Sequence, residues 1–479
     1  MQVFEILLLL ASTLFLIFNF FSRIEINRYW IIGGLISFLF THLIFEGFRW
    51  QMMPGYLICL FAIFSAFRQT QKRSKKALRV LKGMGFTLLL ALAIALPSIF
   101  PVFKLPELQG EYQVGTRDML FNIDRDEVIT EDASDRRKLM AKIWYPSKET
   151  NDQKDLYIDE GGRHGFAQKY GLPDAAFNYL DKIETKVYRE TRVADEEFPV
   201  LIFSHGYNSK ANGYYALLTE IASHGYIIIA LNHTYESTGS SFPDGSEVYF
   251  DYEYARKIES GTWEKLAPVR EAFQQNIKFE KRHPVVKKGL ESYFVREIVE
   301  RWSQDISDVV SELEDLNASG FLKGKLDLDN IGVFGHSRGG GAAGNALLVD
   351  ERIKAGANID GVQWGRIVNT SFNDPFLYIS ADWPEDKEDL NSHAYINKSK
   401  DIFYEARVLN TLHSNFMDIP LMIPINAISK AGSIDPYLGL EITNDLVVAF
   451  FDKHLKNQEV DFTELNSDYD MLKLEIFKN

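Results

Sequence analysis

Ser337 lies in Gly335-His336-Ser337-Arg338-Gly339, directly after the apolar run Ile331-Gly332-Val333-Phe334, and this is the pattern of a sharp strand-to-helix turn that lifts a nucleophile. Such a turn crowds the positions two before and two after the serine; Gly335 and Gly339 leave that space free. Gly340, Gly341, Ala342, Ala343 and Gly344 then let a helix begin close against a sheet, with its free N–H groups near Ser337. A serine hydroxyl is a weak nucleophile at neutral pH. It needs a histidine to take its proton, a carboxylate to orient that histidine, and N–H donors for the oxyanion.

A strand, this elbow, a small-residue helix, and then acid and histidine in the order Ser, Asp, His define an α/β-hydrolase arrangement. The base should follow the last strand. His413, in Asn410-Thr411-Leu412-His413-Ser414-Asn415, stands there; His393 is second choice, in a polar run that reads as a solvated loop. His454 reads as a surface residue, and His336 as a neighbour of the nucleophile with no room to act as base. Two acids compete. Asp360 ends the strand Ala355 to Ile359, and Asp382 follows the strand Pro375 to Ile379; residue order alone does not choose between them. The oxyanion donors are expected to be the N–H groups of Arg338, next to the nucleophile, and Tyr207, in the loop Ser204-His205-Gly206-Tyr207 after the buried strand Pro199 to Phe203. This chemistry needs neither a cofactor nor a metal.

The elements that must position these residues occupy 110–457. Strands are expected at 112–121, 139–145, 199–203 and 226–231, then before the elbow, at 355–359, 375–379 and 404–409. A helix at 214–224 joins two of them, and strand, helix, strand in close succession implies a right-handed parallel crossover. Residues 253–294 are charged and weakly periodic, and read as a helical insertion capping the site or lying on the surface. Val295, Val299, Trp302, Ile306, Val309, Val310, Leu313 and Leu316 form an apolar helical stripe, read as core packing only. A helix over 443–455 closes the domain, and 458–479 reads as a polar tail.

The first 103 residues differ in kind. They carry 10 Lys and Arg against 3 Asp and Glu, whereas the chain as a whole stands at −14, which leaves the rest at −21 and a poor partner for nucleic acid. Apolar runs at 3–21, 29–48 and 84–103 have membrane-spanning length, and the first has neither a basic flank before it nor a cleavage site after it. The run at 52–67 is shorter and is the doubtful span of the four. His42 and Glu46 read as solvated at the interface. The basic stretch Arg68 to Lys76, with Arg79 and Lys82, should stay cytoplasmic, so that the last span leads outward and, past a linker at 104–109, the hydrolase portion faces the extracytoplasmic side of what is expected to be a bacterial cell membrane. The single cysteine, Cys59, excludes an internal disulfide and a cysteine-based zinc site.

Taken together, Tyr112-Gln113-Val114-Gly115, Trp144-Tyr145-Pro146-Ser147, Phe203-Ser204-His205-Gly206-Tyr207, Ala222-Ser223-His224-Gly225-Tyr226, Gly335-His336-Ser337-Arg338-Gly339-Gly340, Asn358-Ile359-Asp360-Gly361 and His413-Ser414-Asn415-Phe416 with Asp418 resemble the platelet-activating-factor acetylhydrolase branch of the α/β-hydrolases, the calcium-independent group VII phospholipases A2. The resemblance covers most of 110–455. It implies Ser337 as nucleophile, His413 as base, Asp360 rather than Asp382 as acid, and the amides of Tyr207 and Arg338 in the oxyanion hole. It also implies hydrolysis of a short or oxidised acyl chain from the sn-2 position of a phospholipid. Arg338 replaces an apolar residue of that family, and the multi-span N-terminal region is foreign to its secreted members. Two other functions compete: a general carboxylesterase or dienelactone-hydrolase-like enzyme on soluble esters, and a catalytically silent hydrolase-fold membrane sensor or scaffold. An intact serine, histidine and acid set argues against the last.

Overall fold

A computed structural model describes residues 1–21, 27–67, 76–260, 263–384 and 387–478. The described chain divides into two compact units: Met1–Lys104 with Pro173–Ile183 and Leu421–Ile425, and the remainder from Leu105 onward.

The first unit is helical, with helices Val3–Phe21, Arg28–Phe45, Met53–Phe67 and Lys76–Ile99. Three stretches, Arg28–Phe45, Trp50–Phe67 and Val80–Ile99, are long and apolar enough to cross a membrane, while Val3–Asn19 is a shorter apolar helix. The run read as the doubtful span therefore reaches spanning length, because the turn Trp50–Met52 leads straight into its helix, whereas the first run, read as a span, is the shorter one. The expected interfacial solvation of His42 and Glu46 is corrected. His42 is fully buried, with Nδ1 2.9 Å from Glu46 and Nε2 2.8 Å from the Tyr56 hydroxyl. Glu46 also accepts the N–H groups of Phe4 and Glu5 at 2.7 and 3.0 Å, satisfying donors that the first turn of a helix leaves without partners. Most of the basic stretch used to orient the chain, residues 68–75, lies outside the described residues.

The second unit is built on a ten-stranded sheet. Its strands are β1 (Gln113–Asp126), β2 (Arg136–Ser147), β3 (Val187–Arg189), β4 (Phe198–Ser204), β5 (Ile227–Asn232), β8 (Leu326–His336), β9 (Ile353–Ile359), β10 (Phe376–Ala381), β11 (Ile402–Val408) and β12 (Leu472–Lys478); β6 (Gly239–Ser241) and β7 (Glu247–Tyr249) form a separate pair. The order is β12-β11-β10-β9-β8-β4-β5-β2-β1-β3. From β5 to β11 all neighbours run parallel, so these six strands end on one edge. That edge is where a parallel sheet offers a site.

Both faces of the sheet are covered, which is why β4 and β5 read as unbroken apolar runs instead of alternating ones. The two-residue period still sorts their side chains. Val200, Ile202, Ile227, Ile229 and Val333 join the core with Val299, Trp302, Ile306 and Val309 of the helix Val295–Ala318. On the other face Phe334 packs on Phe203 and on Phe451 of the helix Pro436–Leu455. This helix starts seven residues earlier than expected, because Asp435 accepts the N–H groups of Tyr437 and Leu438 and Pro436 is preset for a first turn. The polar tail is likewise corrected: Phe462–Asp468 is a helix and β12 pairs antiparallel with β11, Leu472 being buried. Its alternation of Leu472, Leu474 and Ile476 with Lys473 and Glu475 suits an edge strand, charged on its open side.

Candidate active site

The C-terminal ends of five adjacent parallel strands each contribute one group. Past β8 comes Ser337, with φ 58° and ψ −125°, a conformation an L-residue holds only when its surroundings enforce it. Here its N–H donates to Ile359 O at 2.9 Å and its carbonyl accepts the N–H groups of Gly340 and Gly341. A side chain at Gly339 would run into the carbonyls of Ser204 and His205, which fixes glycine at that position of the elbow.

Past β11, His413 opens a short 3₁₀ turn, His413–Phe416. Its Nε2 is 3.0 Å from Ser337 Oγ, and its Nδ1 is 2.6 Å from Asp360 Oδ2. Asp360, past β9, is buried, and its other oxygen accepts Ala381 N–H and Trp383 Nε1–H, both at 2.9 Å. The carboxylate is thus fully hydrogen-bonded, which answers the cost of burying it. Asp382, past β10, is not brought to the histidine. It pairs with Arg407 at 2.6 Å and accepts Asn410 N–H at 3.0 Å, so it clamps the chain that leads to His413.

Past β4, the loop His205-Gly206-Tyr207 abuts the elbow: a Cβ at Gly206 would stand 3.3 Å from Ser337 Cβ. The N–H groups of Tyr207 and Arg338 donate to no acceptor among the described residues. The Arg338 guanidinium stacks 3.7 Å over the Tyr207 ring and lies 3.8 Å from Glu259, at the end of the first inserted helix, Tyr252–Glu259. Burial pulls its pKa below the usual arginine value. The insertion therefore reaches the residue beside Ser337. Its remaining helices are Ala267–Gln274 and Phe279–Ser292.

Of the other histidines, His393 and His454 lie deeper than expected, while His336 stands where it was expected, beside Ser337. His393 is buried, not solvated: its ring stacks on Phe279, its Nδ1 lies 3.1 Å from His283 Nδ1, and burial with Arg282 nearby pulls its pKa down to about 4. His454 is half-buried against the Tyr404 hydroxyl at 3.0 Å. His336 is buried and bridges the Tyr214 hydroxyl and the His413 carbonyl. Asp418 is buried against the Tyr157 hydroxyl, and burial lifts its carboxyl to about 7.

Sequence reasoning missed Trp383, which holds Asp360, and a buried polar cluster behind β4. In that cluster Ser204 Oγ is 2.8 Å from His233 Nε2, and His233 Nδ1 is 2.8 Å from Asp305 Oδ2. Trp302, read as packing alone, stacks on the His233 ring at 4.0 Å and donates to Glu236 at 2.7 Å. Arg137 pairs with Asp305 at 2.6 Å and with Glu127 at 2.8 Å.

The family model for platelet-activating factor acetylhydrolase, isoform II, matches residues 98–476. The platelet-activating factor acetylhydrolase of Cavia porcellus is 25% identical over 388 residues, covering 76% of this chain and 80% of the relative. That of Gallus gallus is 22% identical over 417 residues, covering 80% and 91%. A probable 1-alkyl-2-acetylglycerophosphocholine esterase of Arthroderma benhamiae is 23% identical over 257 residues, covering 50% of this chain and 54% of its own. Among solved structures, a ferulic acid esterase from Streptomyces cinnamoneus shares the fold at a TM-score of 0.59 and 20% identity, covering 78% of this chain and 99% of that one. The elbow at the edge of a parallel sheet and a family match over most of the chain lead to one conclusion: this chain belongs to the platelet-activating factor acetylhydrolase isoform II family and is a serine ester hydrolase of the α/β-hydrolase fold.

Proposed function

We propose that the chain is a membrane-anchored hydrolase that removes a short or oxidised acyl chain from the sn-2 ester of a phospholipid through Ser337, His413 and Asp360. The observation that carries this reading is the pair of contacts at 3.0 and 2.6 Å that joins a serine in a strained elbow, through His413, to a buried carboxylate. Ser337 Oγ attacks the ester carbonyl while His413 Nε2 takes its proton and Asp360 holds the ring by Nδ1–H. The oxyanion meets the N–H groups of Tyr207 and Arg338. Collapse expels the lysophospholipid alkoxide, which takes the proton from His413. Water, deprotonated by His413, then attacks the acyl-enzyme; the second collapse releases the carboxylic acid and Ser337 Oγ takes its proton back from His413.

The apolar helices of the first unit hold the enzyme beside its lipid, which raises the local concentration of an amphiphilic ester. The last span leads outward from the basic stretch, so the catalytic unit works on the extracytoplasmic side.

The test uses the full chain in vesicles containing phospholipids with acetyl, glutaroyl or palmitoyl at sn-2, with release of lysophospholipid as readout. Acetyl and glutaroyl esters should turn over at least about tenfold faster than palmitoyl, since a pocket sized for short chains discriminates at that level. Turnover of soluble nitrophenyl esters alone would move the assignment to a general carboxylesterase. Labelling in intact cells by a membrane-impermeant fluorophosphonate tests the topology; protection until the cells are lysed would reverse it.

A further inference from the structure

The Tyr207 N–H can serve an oxyanion only if the Gly206–Tyr207 peptide is turned the right way, and the hydrogen bonds around it fix that turn. The backbone N–H of His233 donates to His205 Nε2 at 3.2 Å, so Nε2 carries the lone pair and the ring proton sits on Nδ1. Nδ1–H then donates to Gly206 O at 2.7 Å, an oxygen that also accepts Ser209 N–H at 3.0 Å. A trans peptide is planar, with its C=O and N–H antiparallel, so holding this carbonyl on the His205 side sends the Tyr207 N–H the other way. On the near side of the same loop, Gly206 N–H donates to the Tyr214 hydroxyl at 2.9 Å; this hydroxyl donates to His336 Nδ1 at 2.9 Å, and His336 Nε2–H to the His413 carbonyl at 3.1 Å.

The arrangement needs a neutral His205. Burial and the neighbouring His233 hold its pKa well below the ordinary range. His233 is itself held in place: its ring is bonded on both nitrogens, by Ser204 and Asp305, and stacked on Trp302. Ser204, His205, His233, Trp302 and Asp305 have no reach to solvent, since all five are fully buried or nearly so.

We propose that His205, held by the buried Ser204–His233–Asp305 set, is a positioning residue that aims the Tyr207 N–H at the oxyanion. This rests on the reading of Tyr207 as an oxyanion donor and names what sets that donor's direction. The pair His205→Asn and His205→Gln tests it, because an asparagine amide N–H can stand where Nδ1–H stands, whereas glutamine places its amide near the Nε2 position.

Steady-state kinetics on nitrophenyl acetate and inhibition by a trifluoromethyl ketone, whose hemiketal oxyanion with Ser337 fills the oxyanion hole, are measured for both variants of the full chain, with thermal midpoints. The expected result is a kcat about 100-fold lower in His205→Gln with KM nearly unchanged, inhibitor affinity falling in proportion, and His205→Asn within about tenfold of the parent. Equal kcat in the two variants, or a loss confined to KM or to the thermal midpoint, would overturn the proposal. Parent activity that survives Ser337→Ala would instead sink the underlying reading of the site.

Discussion

Two serine, histidine and aspartate sets lie within this fold at almost the same spacing. Ser337–His413–Asp360 has contacts of 3.0 and 2.6 Å; Ser204–His233–Asp305 has 2.8 and 2.8 Å. Distances therefore do not tell a reactive serine from an inert one. What differs is everything around them. His413 keeps 42% of its side chain open to solvent, whereas His233 has none. Ser337 sits at φ 58° ahead of a helix N-terminus, while Ser204 ends an ordinary buried strand. Asp360 is held by neutral N–H donors, but Asp305 is gripped by Arg137, which with the His233 hydrogen bond pulls its pKa far below the usual range, and it also pairs with Arg125. A carboxylate already neutralised by two guanidinium groups has little left with which to stabilise an imidazolium. On the proposed reading the first set gains charge during the reaction and the second holds a loop still.

Exchanging single members of the two sets should break this symmetry most sharply at the serines. Ser337→Ala is expected to lower kcat by about 10⁶. Ser204→Ala, which removes one buried hydrogen bond, should cost about fivefold or less. At the acids, Asp360→Asn should lower kcat by about 10⁴ by disturbing the histidine tautomer. Asp382→Asn, losing only a part-exposed ion pair, should stay within about threefold of the parent in the same assay. Asp305→Asn should act on stability instead. It leaves Arg137 buried without its main partner, and calorimetry should register a loss of about 3–5 kcal/mol.

An effect on stability alone is expected from Asp418, near His413 in the chain but part of neither set. Its folded pKa of about 7 lies above the usual carboxyl value of 3.8, so between these pH values the folded chain keeps a proton that the unfolded chain has released. The stability it contributes is full below pH about 4 and is lost as pH rises through about 7, by up to about 4 kcal/mol. Asp418→Asn should flatten the fall in thermal midpoint between pH 5 and 8; an unchanged slope would assign the fall to another group.

The places of Ser337 and His413 at the ends of their strands were legible because each signal is local: a glycine-spaced serine after an apolar run, and a histidine just past a strand. The choice between Asp360 and Asp382 was open from residue order, since both follow a strand. It turns on Trp383 and Arg407, whose side chains reach across the ends of neighbouring strands. The buried cluster behind β4 was illegible for the same reason. Glu127, Arg137, Ser204, His233, Glu236, Trp302 and Asp305 come from distant segments, and the stripe holding Trp302 looks like any core-facing helix until the fold brings His233 against it. β12 could have been read from its alternation; its charged open edge disguised it as a tail.

The most direct test asks which serine reacts. The full chain in vesicles is treated with a fluorophosphonate and digested, and the adduct is located by peptide mass spectrometry. The account predicts one adduct, on Ser337, absent from Ser337→Ala and retained in Ser204→Ala. An adduct on Ser204, or labelling that survives Ser337→Ala, would contradict it.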